Sequence, residues 1–300
     1  MNIIDTSSSE IPNVLVISGP TASGKTQKAV EFCKKYNGEI ISCDSRQVYK
    51  YLDVGTNKEG ILLGNGVREI NGILQHLTDI VDPDKTYSAE EFRTQAGLKI
   101  KEIQNKGKIP VVVGGTGLYI KALLYGLDEM PKANKTLREQ LKKLSQDELY
   151  YELSKLDLES AKKNKLNPQR LLRALEINII SGKTVKEHIK PKKKRYDFKH
   201  FSILLPLEEL YTRINNRCKH MIESGMIDET KKVLSLGFSK ETPALNSIGY
   251  RHIIKYLYNQ TSKEKMLLEF CKDTRHYAKR QNTWFRTQSV LNDIGFINGK

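Results

Sequence analysis

At 300 residues, 38% of them hydrophobic, the chain is long enough to bury a substantial core and suits one domain plus an insertion. Fifty Lys and Arg against 35 Asp and Glu leave a net charge of +15, which points to a polyanionic partner such as nucleic acid or a membrane surface. The four cysteines (Cys33, Cys43, Cys218, Cys271) form no C-x-x-C pair, which excludes a zinc ribbon and suits reduced thiols in the cytoplasm; no apolar run approaches the ~20 residues of a membrane span.

Met1–Pro12 is polar and serine-rich, lacks a signal-peptide pattern and reads as a frayed start. Val14-Leu15-Val16-Ile17 suits a buried strand. Gly19, Pro20, Thr21, Ala22, Ser23, Gly24, Lys25 and Thr26 then complete the pattern G-x-x-x-x-G-K-[ST], and Gln27–Tyr36 reads as a helix with Ala29, Val30 and Cys33 on one face. The glycines let consecutive N–H groups turn inward, and the helix N-terminus adds its positive end. Lys25 brings a full charge to a terminal phosphate, and the Thr26 hydroxyl is placed for Mg²⁺. The segment is expected to bind a diphosphate or triphosphate.

Glu39–Cys43 reads as a second strand, followed by a polar stretch to about Gly72 and a short strand over His76–Val81. Ser88-Ala-Glu-Glu91 is a capping box that opens a helix to about Asn105, with Gly107 past its end. Ile109–Val113 is another buried strand, running into Gly114-Gly115-Thr116-Gly117. This alternation predicts an α/β fold, a P-loop NTPase-like parallel sheet flanked by helices.

From about Asp128 to His200 only helical periodicity remains: Leu137, Leu141 and Leu144, then Leu149, Leu153 and Leu156, then Leu171, Leu172, Leu175 and Ile179. Residues 131–200 hold 19 Lys and Arg against 9 Asp and Glu, so +10 of the +15 sits in less than a quarter of the chain, including the run Lys190-Pro-Lys-Lys-Lys-Arg195. We read 128–200 as a basic helical domain inserted between core parts 1–127 and 201–300. Phe201–Leu205 restores the strand pattern, and amphipathic helices follow to about Gln281.

Asp44-Ser45-Arg46-Gln47 follows the second strand, at the sheet edge where ligands of open parallel sheets lie. Asp44 can support Mg²⁺, accept a proton from an attacking group, or simply cap the next turn. Thr116 follows the strand Ile109–Val113, where an ATP hydrolase usually carries an aspartate, and it can donate to a phosphate oxygen or a base. Arg213 and Arg217, at i and i+4, share a helix face and suit either closure over the diphosphate or an ordinary surface ion pair. Trp284 and Phe285 read as core, while Lys279, Arg280 and Arg286 are expected to meet RNA if the polyanionic partner is a nucleic acid; His76, His220 and His276 have no metal spacing.

The segments GPTASGKT, DSRQVY, IPVVVGGTGLY, NPQRLLRALE and KRQNTWFR, in that order from Val14 to Arg286, resemble the tRNA dimethylallyltransferase (tRNA isopentenyltransferase) family. The resemblance implies transfer of a dimethylallyl group from dimethylallyl diphosphate to N6 of the adenosine just 3′ of the tRNA anticodon, with Mg²⁺. It implies Asp44 as general base, Ser45, Arg46 and Gln47 on the flipped nucleotide, and Thr116 beside the reacting region. It further implies RNA contacts from Arg138, Gln169, Arg170, Leu171, Leu172 and Arg173, and from Asn246, Gly249, Tyr250 and Arg251 near the anticodon loop. The basic insertion then clamps the anticodon stem-loop through phosphates. The chain ends at Lys300 without the Cys/His zinc finger of many eukaryotic relatives, which suggests a bacterial-type enzyme; a monomer is expected. A P-loop small-molecule kinase, an isopentenyltransferase acting on free adenylate, and a non-enzymatic RNA-binding module are the competing readings.

Overall fold

The computed structural model describes residues 12–287 and 294–298, so most of the Met1–Pro12 expectation lies outside the described residues. In chain order the elements are β1 (Val14–Ser18), α1 (Lys25–Tyr36), β2 (Gly38–Ser42), β3 (Ile61–Gly64), β4 (Val67–Ile70), β5 (Ile73–His76), α2 (Ala89–Asn105), β6 (Ile109–Gly114) and α3 (Gly117–Tyr125). Next come α4 (Lys135–Leu141), α5 (Gln146–Leu156), α6 (Leu158–Asn164) and α7 (Pro168–Ser181), and a 3₁₀ turn at Lys186–His188. The chain then continues through β7 (Phe198–Leu204), α8 (Leu207–Glu223), α9 (Met226–Ser235), α10 (Tyr250–Leu257), α11 (Lys263–Thr287) and β8 (Ile294–Asn298). Contacts divide it into two compact units, one comprising the described residues through Tyr125 with those from Lys194 onward, the other Gly126–Lys193.

The first unit is built on one sheet of order β3-β4-β5-β2-β6-β1-β7-β8. From β5 to β8 every pairing is parallel, as expected of the fold class; β3 and β4 extend the sheet antiparallel and make it mixed. The period-2 alternation of β1 divides its side chains between two layers. Val14 and Val16 pack with Phe92, Ala96, Ile100 and Ile103 of α2 and Ile120, Leu123 and Leu124 of α3. Leu15 and Ile17 pack with Ala29, Val30, Phe32 and Cys33 of α1 on the other face. Burial on both faces is why the central strands read as continuous apolar runs. A third apolar cluster joins Val48, Tyr49 and Leu52 to α8, α9, α10 and α11.

The capping box is formed as expected: Ser88 Oγ accepts from Glu91 N–H at 3.2 Å, and the Glu91 carboxylate accepts from Ser88 N–H at 2.7 Å. Three expectations need correction. The polar stretch before Gly72 contains the meander β3-β4-β5, turned at Asn65-Gly66 and Asn71-Gly72, where all four residues have positive φ. No strand spans His76–Val81: β5 ends at His76, Leu77 and Asp79 take left-handed φ, and Val81 only bridges Tyr49. Strand β7 starts at Phe198, three residues earlier than expected.

The second unit is helical. Leu141, Leu149, Leu153, Ala161, Leu171, Ala174 and Leu175 form its core. Leu156, the last residue of α5, and Ile179, near the end of α7, are about half exposed and do not join that core as expected. The sequence Asn167-Pro168 starts α7 because the Asn167 side chain accepts from Arg170 N–H at 3.1 Å and Pro168 occupies the first turn; Gly182 ends the helix at φ 66°. All four cysteines are unpaired and buried, and among the described residues no helix is long and apolar enough to cross a membrane.

Candidate active site

Three parallel strands, β2, β6 and β1, deliver Asp44, Gly115 and the phosphate loop to the same edge of the sheet. The loop curls as its glycines require. Gly24 has φ 84°, and a Cβ on Gly19, itself at φ 148°, would sit 2.8 Å from the Ile203 carbonyl oxygen. Ala22 carries the left-handed φ of 62° without being glycine. Thr21 through Thr26 line a cavity of about 1000 Å³. The buried Ser23 hydroxyl inside the loop has no hydrogen-bond partner among the described residues.

The cavity brings together much of what the sequence implicated: Lys25, Thr26, Asp44, Ser45, Arg46, Gln47, Arg213, Arg217, Asn246, Arg251 and Arg280 all line it. Lys25 Nζ donates to the Pro20 carbonyl of its own loop at 2.6 Å. Burial pushes its pKa down to about 8; Asp44 opposes that shift and Arg217 reinforces it. Arg217 is likewise lowered by burial, against the pull of Asp44. Two cations and one carboxylate thus share a partly dehydrated space, an arrangement that a bound polyanion would neutralise. Met221, Ile248 and Phe270 supply an apolar stretch of the same wall.

Asp44 uses one carboxylate oxygen to accept from Arg46 N–H at 2.8 Å, which shapes the turn, and keeps its place in the cavity wall. One side chain therefore both shapes the turn and lines the cavity. Thr116 accepts from Ser45 N–H at 3.1 Å, so it acts on the turn that carries Asp44. The Gln47 amide is committed to the protein: its oxygen accepts from Ser42 at 2.9 Å, and its nitrogen donates to the carbonyls of Thr56 and Asn57 at 3.3 and 3.2 Å. Arg46 reaches the Pro243 carbonyl at 3.3 Å, and Arg213 pairs with Glu209 at 2.7 Å on its own helix.

Several residues expected to meet RNA occupy other positions. Tyr250 is 1% exposed, with its hydroxyl on Glu229 at 2.6 Å. A Cβ on the buried Gly249 would lie 2.5 Å from Met226 Cε, so this pair belongs to the core. Leu171 is fully buried in the helical unit and Leu172 packs against that core. Arg138 and Arg173 of that unit both hold the buried Glu176, the Arg138 contact being bidentate at 2.9 Å, while Gln169 and Arg170 are exposed. Lys192 of the basic run pairs with Asp128 at 3.1 Å. Arg251 pairs with Asp273, and Lys279, Arg280 and Arg286 are exposed on α11. Trp284 is half-buried against Phe285, as expected of core aromatics.

Two contributors were not anticipated. Gln281 accepts from Thr21 N–H and donates to the Gly115 carbonyl, both at 2.9 Å, pinning the phosphate loop to the glycine turn after β6. Tyr277 lines the cavity near Asp44, with its phenol pushed up to about 12 by burial and by that carboxylate. Gln281 lies within the segment KRQNTWFR and Tyr277 two residues before it, and the roles of both arise from contacts with segments far away in sequence.

Residues 47–288 match the sequence profile of a family described as IPP transferase. A tRNA dimethylallyltransferase from Endomicrobium trichonymphae is 67% identical over 288 residues, which covers 96% of this chain and 95% of that one. Among solved structures, the full-length tRNA isopentenylpyrophosphate transferase from Bacillus halodurans aligns with a TM-score of 0.69 at 34% identity, over 95% of this chain and 89% of that one. A eukaryotic dimethylallyltransferase caught acting on tRNA aligns with a TM-score of 0.80 at 29% identity, over 96% and 74% of the two chains.

Proposed function

The chain belongs to the IPP transferase family, and from that premise we propose that it moves the dimethylallyl group of dimethylallyl diphosphate onto N6 of the adenosine immediately 3′ of the anticodon in tRNA, releasing diphosphate. It is an enzyme that transfers a dimethylallyl group to tRNA. The observation that carries the finer reading is the common cavity of Lys25, Arg217 and Asp44, two cations to hold a diphosphate and a carboxylate to receive a proton. We place the reaction in the cytoplasm, with the protein working as a monomer.

The diphosphate oxygens take the loop N–H groups, Lys25 and Arg217, which gain most as negative charge grows on the leaving group. Met221, Ile248 and Phe270 offer the prenyl tail an apolar surface. The flipped adenine presents its amine to Asp44, whose free carboxylate oxygen takes the proton as the new C–N bond forms. Ser45 and Thr116 keep that carboxylate oriented. Arg46, Asn246, Arg251 and Arg280 surround the nucleotide, and Gln169, Arg170 and neighbouring lysines of the helical unit bind phosphates of the anticodon stem.

The residues present fit Mg²⁺ bound mainly by its substrate. Thr26 offers one hard oxygen beside Lys25, and no group of three His, Cys, Asp or Glu able to hold a metal occurs among the described residues. When bound, the ion would neutralise charge on the diphosphate.

The test incubates the protein with dimethylallyl diphosphate and Mg²⁺, and in turn with tRNA and with free AMP or ADP, followed by nucleoside mass analysis. A dimethylallyl group on the tRNA adenosine alone is expected. Modification of free nucleotide alone, or transfer of a γ-phosphate from ATP, would overturn the reading.

A further inference from the structure

Glu229, in the first turn of α9, does not line the cavity, yet it holds a segment that does. Its carboxylate accepts from three consecutive backbone groups: Asp53 N–H at 2.6 Å, Val54 N–H at 2.8 Å and Gly55 N–H at 3.0 Å. The Tyr250 hydroxyl donates to it as well, at 2.6 Å. Successive N–H groups turned to one side form a concavity suited to an anion, and bonds to a charged acceptor are roughly twice as strong as neutral ones. Here the anion is a side chain of the same protein. Gly55 allows the close approach, since a Cβ there would run into Met226 Cε and the Tyr250 hydroxyl.

The segment held in this way faces the site. Gly55, Thr56 and Asn57 line the cavity, and the carbonyls of Thr56 and Asn57 accept from the Gln47 amide at 3.3 and 3.2 Å. The Gln47 oxygen accepts in turn from Ser42 Oγ at 2.9 Å and from Gln75 Nε2 at 3.3 Å, so this amide is fixed at both ends. Gln47 closes the turn that opens at Asp44, whose carboxylate accepts Arg46 N–H. A chain of hydrogen bonds therefore runs from Glu229, through the backbone of residues 53–57, to Gln47 and the turn that carries Asp44.

We propose that Glu229 is a positioning residue for the nucleotide side of the site: its carboxylate sets the segment 53–57 and, through the Gln47 amide, the turn that presents Asp44. Gln47 is then the link in this relay and makes no contact with the nucleotide. The effect on the reaction rests on the reading of Asp44 as proton acceptor.

The diphosphate side is held separately, by Gln281 between Thr21 N–H and the Gly115 carbonyl. Loosening the segment 53–57 therefore moves Asp44 and leaves the phosphate loop in place. Small misplacements of a reacting group cost large factors in rate, whereas the affinity for diphosphate stays as it was.

The test compares Glu229→Gln, Gln47→Leu and the double variant in the full chain. Glu229→Gln keeps the side chain's length but leaves one oxygen for three N–H groups. A fall in kcat of about tenfold or more, with calorimetric affinity for dimethylallyl diphosphate within about twofold of the parent, is expected of each single variant. The double variant should fall no further than the weaker single, because both cut one relay. Hydrogen exchange at residues 53–55, followed by mass, should speed up in Glu229→Gln and stay slow in Gln47→Leu. An unchanged kcat, or an equal loss of diphosphate affinity, would overturn the positioning role, and losses that multiply would overturn the route through Gln47. Should Glu229→Gln not fold, Gln47→Leu alone carries the same kcat and affinity criteria. The exchange is read without turnover and Asp44→Asn tests the proton acceptor, so failure of this relay is distinguishable from failure of that reading.

Discussion

Thr21, in the phosphate loop, is held by Gln281, 260 residues further along the chain: the glutamine oxygen accepts the Thr21 N–H at 2.9 Å while its amide nitrogen holds the Gly115 carbonyl. One side chain thus fixes the spacing between the loop and the turn after β6. Gln281→Leu fills similar space and removes both bonds, stranding two backbone groups at a cost of about 1–3 kcal/mol each. The expected outcome is a rise of about tenfold or more in KM for dimethylallyl diphosphate with a smaller change in kcat. Steady-state kinetics at saturating tRNA check it.

Asp44 both shapes its turn and faces the cavity, and two substitutions separate these roles. Asp44→Asn keeps an oxygen for Arg46 N–H but cannot take a proton, whereas Asp44→Ala loses both. Both should lose ~10²-fold or more in transfer rate, and only the alanine variant should also lose thermal stability. Single-turnover rates and melting curves check this pair; a fully active Asp44→Asn would leave Asp44 with its turn alone.

Lys25, with its pKa down at about 8, sets a pH limit on the empty site. Above that value the amine is neutral, so affinity for the diphosphate should fall as pH rises through about 8, and binding near pH 8 should take up a proton. Lys25→Arg, which stays charged, should lose this dependence. The stability trend has the opposite sign. The unfolded lysine titrates near 10.5, so between about 8 and 10.5 the unfolded chain holds more protons, and the empty protein gains stability as pH rises. Calorimetric titrations and denaturant melts across pH 7–10 check the two trends.

Gly114 ends β6 in close contact with β2. A Cβ there would lie 1.9 Å from the Cys43 carbonyl oxygen, a backbone atom that cannot swing aside. Gly114→Ala should destabilise the protein by roughly 2–4 kcal/mol and displace Asp44. Chemical denaturation gives the stability, and the surviving folded fraction should show reduced transfer.

In the helical unit, Arg170 is exposed whereas Lys192 is tied to Asp128. If each phosphate contact releases counterions, Arg170→Ala should flatten the log–log salt dependence of tRNA binding by about 0.7–0.9. Lys192→Ala should change it less. Filter binding over a salt series separates the two.

The apolar strands were legible because burial on both faces leaves runs such as Val14–Ile17 and Ile109–Val113, and the cap at Ser88 is a purely local device. The meander β3-β4-β5 was missed although Asn65-Gly66 and Asn71-Gly72 are strong turn signals; β3 is exposed throughout and carries no alternation. Lys25, Thr26 and Asp44 were legible from motifs that act over a few residues. Gln281 and Tyr277 were not, because their roles arise from the packing of α11 against segments far away in sequence. Gly249 and Tyr250 show a packing constraint that the motif did not reveal, with Met226 and Phe270 against the glycine and Glu229 on the tyrosine hydroxyl.

The 260-residue span between Thr21 and its clamp also has a consequence for synthesis. At about 5–20 residues per second, the loop leaves the ribosome roughly 15–50 s before Gln281 is made. During that interval β1 also lacks its neighbour β7, so one of its edges stays unpaired until residues 198–204 emerge. A nascent chain, or one cut short before its last helix, therefore carries the whole phosphate motif without a set binding geometry. Until Gln281 emerges, the phosphate loop and the turn after β6 lack the side chain that joins them, so the spacing between them is fixed late in synthesis.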